Sequence, residues 1–403
     1  MKIQEYINNM NQLSLNILNF LDNESEYNDH FLELTAFIEE HQISECKAEF
    51  RNLLRLLLII SNNHYRNNNF FNKIEQILFY LKEKIKLTFS NNDIFYLFKS
   101  NKRIFLFILQ NQLIEVDDQI IHSMILENIC YYYYFYNVIK PFISTQESEK
   151  IEASLLEMNP NIFEHFEENQ KIGENDSCIC QLIRNDLVVD FIIYINQTNI
   201  PLNTKIKISI FETNSLLASK SPSLIEYAAF YGSIQIFQYL KMNNAELESS
   251  LWIYAIHGKN AEIIHCLEEL QIEPEDNTYR CCLKEAIKCH HNEIAKYIQD
   301  NLLIINNEDS NFGKINVIEN NNSYCFQFLN FVTFSDSLDY KNNFFYFCQS
   351  NFLKAVMFLT KTSYLNANSI VISKIILFYQ VENSLFISNL NSNILIEFNF
   401  FFF

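Results

Sequence analysis

Cys281, Cys282, Cys289, His290 and His291 form the densest set of side chains in the chain that could hold a metal. A zinc site needs four such groups converging tetrahedrally, usually as two pairs with short gaps. Here Cys282, Ala286 and Cys289 recur at helical spacing along one face, and no second cysteine pair follows at finger distance. That pattern reads as core thiols beside solvated turn histidines. Cys178-x-Cys180 lacks the Cys-x-x-Cys spacing of redox motifs. The carboxylates from Glu164 to Glu168 are close enough for paired acid–base work, yet such runs ordinarily line a solvated helix face. Nucleophilic catalysis would call for a serine or cysteine in a strained, glycine-flanked turn. With 4 glycines in 403 residues there is no such turn, no Gly-x-x-x-x-Gly-Lys phosphate loop and no Gly-x-Gly-x-x-Gly turn. The expectation is a non-enzymatic chain with no catalytic residue, metal or cofactor.

Composition narrows the partners. Hydrophobic content of 49% supports a sizeable core, while 4 glycines and 5 prolines are too few turn residues for a sandwich or barrel. The 30 basic and 48 acidic side chains leave a net charge of −18, a poor match to a phosphate backbone. Nucleic acid is therefore not expected, and a protein partner is. The polar start Met1-Lys-Ile-Gln-Glu-Tyr-Ile resembles no secretory leader, and no window is long and apolar enough to span a membrane. The expected location is cytoplasmic, with the 10 cysteines as mostly buried thiols.

Any such residues must be positioned by helices. Ile7, Met10, Leu13, Ile17, Phe20 and Leu21 mark one apolar face, and Phe31–Glu40 and Cys46–Ile60 read the same way. Leu53, Leu54, Leu56, Leu57 and Leu58 are too dense for an exposed face, which places that helix centrally. A single helix is expected from Phe70 to Leu87, then two short ones around Ser100-Asn101-Lys102. A helix end is expected before Pro141. Residues Glu164 to Asp176 look loop-like, and Asn196 to Ser221, with Pro201, looks like a long polar insertion.

From Ser177 onward a repeat emerges. Ser223–Leu240, Ser250–Leu267 and Cys281–Ile298 align with Ala228, Ala255 and Ala286 in register, at steps of 27 and 31 residues. Ile183 takes the same position in Ser177–Ile195, and weaker copies begin at Val317 and Phe347. Trp252 falls on a core position of its copy, which favours packing over ligand stacking.

Ser223–Leu240 resembles the ankyrin consensus, with Ile225, Ala228, Ala229, Gly232, Ile236, Phe237 and Leu240 on its core positions. Trp252, Ala255, Glu262, Ile263, Ile264 and Leu267 match in the next copy; Leu283, Ala286, Glu293, Ile294 and Ile298 match in the third. The chain as a whole looks like a large, expanded protist group of ankyrin proteins with an N-terminal helical domain of unknown function. The phrases Ile172-Gly-Glu-Asn-Asp-Ser177, Leu224-Ile-Glu-Tyr-Ala-Ala-Phe-Tyr-Gly-Ser233 and Ser250-Leu-Trp-Ile-Tyr-Ala-Ile-His-Gly258 carry that likeness. It departs from the consensus in its turns. Glu226, Ile253 and Lys284 replace the usual histidine, and Lys259 and His290 stand where glycine is usual.

The resemblance implies an all-α fold. An irregular helical domain (1–165) would precede an α-solenoid of about five degenerate ankyrin-type helix-turn-helix units (166–362). An Ile/Phe/Asn-rich tail (363–403) would follow, read as irregular or as a truncated repeat without a polar cap. It also implies a protein–protein interaction scaffold. In ankyrin repeats the residue before the first helix and the two after Ala-Ala commonly face a partner. Here these are Pro222, Phe230 and Tyr231; Ser249, His257 and Gly258; and Arg280, Lys288 and Cys289. Phe230, Tyr231, His257, Arg280 and Lys288 are the expected contacts, because aromatic and arginine side chains are enriched at hot spots. The alternative reading of each is packing against a neighbouring helix. Two other classes stay open: a regulatory subunit whose N-terminal domain recruits a complex, and a decaying family member with no maintained function.

Overall fold

The computed structural model describes residues 3–23, 29–67 and 69–303. The weaker copies at Val317 and Phe347, the tail from 363 to 403 and its missing cap lie outside the described residues. Within them the chain is all helical. First come α1 (Ile3–Asp22), α2 (Asp29–Glu40), α3 (Lys47–Asn63), α4 (Phe70–Tyr80), α5 (Lys82–Thr88), α6 (Asn91–Phe98) and α7 (Lys102–Gln110). Next are α8 (Asp118–Leu126), α9 (Ile129–Tyr134), α10 (Tyr136–Ile139), α11 (Thr145–Met158) and α12 (Phe166–Ile172). Then follow α13 (Cys178–Arg184), α14 (Val188–Thr198), α15 (Ser215–Ser219), α16 (Leu224–Tyr231) and α17 (Ile234–Met242). The last are α18 (Leu251–Gly258), α19 (Ala261–Glu269), α20 (Arg280–Lys288) and α21 (Asn292–Tyr297). Among the described residues there is no strand, only a bridge between Lys205 and Ser223. No helix among them is long and apolar enough to cross a membrane.

The described chain divides into two compact units: residues up to 52 with those from 278 onward, and Leu53–Asn277. In the first, α1 packs on α2, with the Phe20 and Phe31 rings 5.3 Å apart, and α20 packs on α21. The third repeat copy is thus a helical hairpin. Its Cys282, Leu283, Ala286, Cys289 and Ile298 are buried.

In the second unit, Leu53, Leu54, Leu56 and Leu57 of α3 are fully buried, as their density requires. The stretch expected as one helix from Phe70 to Leu87 is two, broken at Leu81, where backbone ψ opens to −2°. The break keeps Leu81 and Ile85 in the core. Asn101 ends the turn between α6 and α7 and caps α7 by accepting from the Ile104 amide at 3.0 Å. A run of edge-on rings, Phe95 to Phe105 (5.4 Å) and Phe105 to Phe135 (5.6 Å), fills the space behind it. Residues 164–176, expected as a loop, include helix α12, which packs on α7 through the buried Phe166.

Three hairpins follow: α13–α14, α16–α17 and α18–α19. Their first helices pack in a row, α13 on α16 on α18, and their second helices in another, α14 on α17 on α19. Small residues permit the tightest of these contacts. Ala228, Ala229 and Ala255 are fully buried, and a Cβ on Gly258 would overlap the Ala229 carbonyl oxygen. The turns close as their sequences demand. Gly232 takes a left-handed φ of 67°, and Lys259 and His290, standing at the equivalent positions, take 52° and 60°. Glu226, which replaces the consensus histidine, completes a capping box with Ser223 and accepts from Ser250 Oγ at 2.5 Å.

Residues 196–221 do contain the expected long loop, from Asn199 to Asn214, but part of it is buried rather than solvated. Ile206, Ile210, Phe211, Glu212, Thr213 and Asn214 are buried, and α15 lies within the segment.

Candidate functional site

The expected contact residues are partly brought together. Phe230 and His257 are buried, their rings stacked at 4.9 Å with 24° between planes. Tyr231 is half-buried; its ring packs on Tyr227 and Phe230, 4.9 and 5.0 Å away, and the Arg184 guanidinium lies 6.0 Å off. Burial pushes the Tyr231 hydroxyl well above its usual pKa. Arg280 opens α20, half-buried, and Lys288 closes it, half-buried and paired with Glu285 at 2.9 Å. In these three rings the geometry is that of packing.

Most of the cysteine and histidine cluster is likewise packed, but Cys281 is exposed, as are Cys46, Cys130 and Cys178, so the described thiols are not mostly buried. Cys282 and Cys289 are buried as expected, but His290 and His291 are buried too, rather than solvated in the turn. Burial raises the Cys289 thiol, and it raises Cys180 to about 11, so neither is poised as a thiolate. Trp252 is fully buried and donates its indole N–H to the Ile272 carbonyl at 2.6 Å.

The largest polar construction in the second unit involves residues that periodicity does not flag. The segment 206–214 carries Glu212 into the interior. There its carboxylate accepts from the Asn214 amide at 2.8 Å and the Asn175 amide at 3.3 Å, with Arg66 Nη1 at 3.9 Å. Burial raises the Glu212 pKa, and Arg66 opposes the shift. Arg66 also donates to Thr213 Oγ1 at 3.4 Å and lies 4.8 Å from the Phe71 ring, which Arg103 faces at 5.2 Å. Arg103 pairs with Glu75.

Asn214 Nδ2 donates to the Asn62 carbonyl at 3.0 Å, and Lys102 Nζ to the Ile210 carbonyl at 2.7 Å. Burial lowers Lys102 to about 8. Arg184 reaches Glu174 at 2.8 Å, the Asn175 carbonyl at 2.7 Å and Tyr227 Oη at 3.0 Å. Gly173 makes room: it has a φ of 71°, and a Cβ there would come within 3.0 Å of the Arg103 side chain. The phrase Ile172–Ser177, in a chain with so few glycines, was the available signal. Arg66, Arg103 and Arg184 each face a carboxylate here, and together with Asn214 and Lys102 they tie distant segments into a clamp.

The chain matches no protein-family model, no curated protein and no solved structure. What its residues can do rests on their geometry.

Outside the clamp lies an open groove of about 580 Å³, formed where the end of α11 and α12 face α13. Asn161, Glu164, Glu168, Asn169, Asp176 and Arg184 are among its lining residues. Glu168 meets His165 at 3.0 Å, and Asp176 accepts from Ser209 Oγ at 2.7 Å. The Glu164 to Glu168 carboxylates therefore lie on a solvated face, as expected, and that face is one wall of a recess.

Proposed function

We propose that this chain is a non-enzymatic protein–protein interaction scaffold of the ankyrin type. The observation that supports this reading is the two-row packing of the three hairpins α13–α14, α16–α17 and α18–α19. A hairpin of this length cannot bury its own apolar face; stacked neighbours supply the core and leave loop and outer residues to recognise a partner. The buried clamp supports it as well, because a rigid surface loses less entropy on binding. The rings of Phe230, His257 and Tyr231 pack within the protein, so partner contact falls to half-buried Arg280 and Lys288 and to the connecting loops. The partner is a protein, the chain needs no cofactor, and its place is the cytoplasm.

Affinity purification from the native cell with lysine cross-linking tests the reading. The expected result is a stoichiometric protein partner joined through Lys205, Lys207, Lys220, Lys241 or Lys259, with binding weakened by R280A and K288A. A chain recovered alone, or joined only through residues before 177, would overturn it.

A further inference from the structure

The groove has a specificity of its own. Four carboxylates line it, Glu164, Glu168, Glu174 and Asp176, against one guanidinium, Arg184. That guanidinium is already held by Glu174, so the wall presents unbalanced negative charge. Among the described residues, the side chains of Asn161, Glu164 and Asn169 form no hydrogen bond or ion pair. The two amides thus offer donors and acceptors to an incoming peptide backbone, and Glu164 offers a charge. Ile172, half exposed at 48%, supplies an apolar strip beside them, suited to the methylene stem of a long cationic side chain.

We infer that this groove docks a lysine- and arginine-rich segment of the protein partner. Charge complementarity chooses the occupant: a second copy of the chain carries −18 and is repelled, and so is an acidic peptide. The buried clamp behind the groove fixes its inner wall, because Arg184 and Glu174 belong to both. This inference rests on the scaffold reading and adds the chemistry of the partner to it.

Fluorescence anisotropy on the full chain tests it, with a labelled Arg/Lys-rich peptide and a Glu-rich peptide of equal length as probes. The basic peptide binds; the acidic one does not. Binding weakens as salt rises from about 50 mM to about 500 mM, which shortens the screening length. The double variant E164Q/E168Q, on exposed side chains, weakens it about tenfold. E83Q/E115Q, which neutralises two exposed carboxylates outside the groove, leaves affinity unchanged. Equal losses in both variants would mean that the peptide reads net charge alone, and would overturn the inference. Absence of basic-peptide binding would overturn it too. Capture from the native cell separates the two readings. A wild-type chain with no partner sinks the scaffold, whereas partners unchanged in E164Q/E168Q sink the groove alone.

Discussion

Gly258 lies against Ala229 so closely that a Cβ on it would overlap the Ala229 carbonyl oxygen and come 2.9 Å from the Gly232 nitrogen. Two helices meet here backbone to backbone. Gly258→Ala therefore has to part α16 from α18, and the expected cost is about 3 kcal/mol. Urea denaturation of the two proteins measures it. A change below about 0.5 kcal/mol would mean that the rows tolerate separation.

One residue further on, the sign reverses. Lys259 holds a left-handed φ of 52°, a conformation that costs a side chain about 1 kcal/mol and costs glycine little. Lys259→Gly is expected to stabilise by about 0.5–1 kcal/mol in the same assay. A neutral or negative result would show that other contacts of Lys259 outweigh the turn.

Breaking the clamp from one side should be worse than breaking it from both. Arg66→Met leaves Glu212 buried without its counter-charge, at about 3–5 kcal/mol. Adding Glu212→Gln removes the stranded charge, so the double variant is expected to recover part of the loss. Acid should have the same effect on the single variant. The folded state holds the Glu212 proton more tightly than the unfolded chain does, so this group adds stability as pH falls through its raised value towards 4.5. A strictly additive double variant would show that the pair is uncoupled.

Lys102 titrates in the opposite sense. Burial lowers it from 10.5 to about 8, so between those values the unfolded chain binds the extra proton and stability rises with pH. The Lys102 contribution between pH 8 and pH 10 is about 2 kcal/mol, and Lys102→Met should remove it from the profile. The Cys180 and Cys289 thiols, raised by burial, work against stability in the same window, so the Lys102 contribution is read as the difference between the wild-type and Lys102→Met profiles. Parallel wild-type and Lys102→Met profiles from pH 8 to 10 would contradict this account.

Cutting the chain at 165/166 severs the clamp. Asn62, Arg66 and Lys102 would lie on one fragment and Asn214, Glu212 and Ile210 on the other, while α12 would lose α7. Fragments 1–165 and 166–362 are expected to aggregate apart and to recover a cooperative melt when co-expressed. Two soluble fragments that melt cooperatively by circular dichroism would refute the clamp's importance.

The parts that could be read from sequence were those with a local signal. Alanines at a near-constant step announced the hairpins, and the Ser223-x-x-Glu226 spacing is a capping signature in its own right. The leucines of α3 announced a buried helix. The clamp had no such signal: Arg66 and Glu212 are far apart in sequence, and a charged side chain in a polar stretch ordinarily means solvent. Residues 196–221 looked like an insertion because their apolar members, Ile206, Ile210 and Phe211, follow neither helical nor strand spacing. His290 and His291 were placed in water by residue type, and packing overrode it. The groove is lined jointly by the segment after α11, by α12 and by α13, so neither wall carries its mark alone.

Four bonds between hairpins point back along the chain. Ser233 Oγ donates back to the Ile183 carbonyl, the Gln235 and Ile236 amides to Asp186, and Asn260 Nδ2 to the Gly232 carbonyl. In each case the acceptor is made before its donor. As the chain leaves the ribosome, each later hairpin finds these acceptors already made, while the first keeps its apolar face open until its neighbour follows.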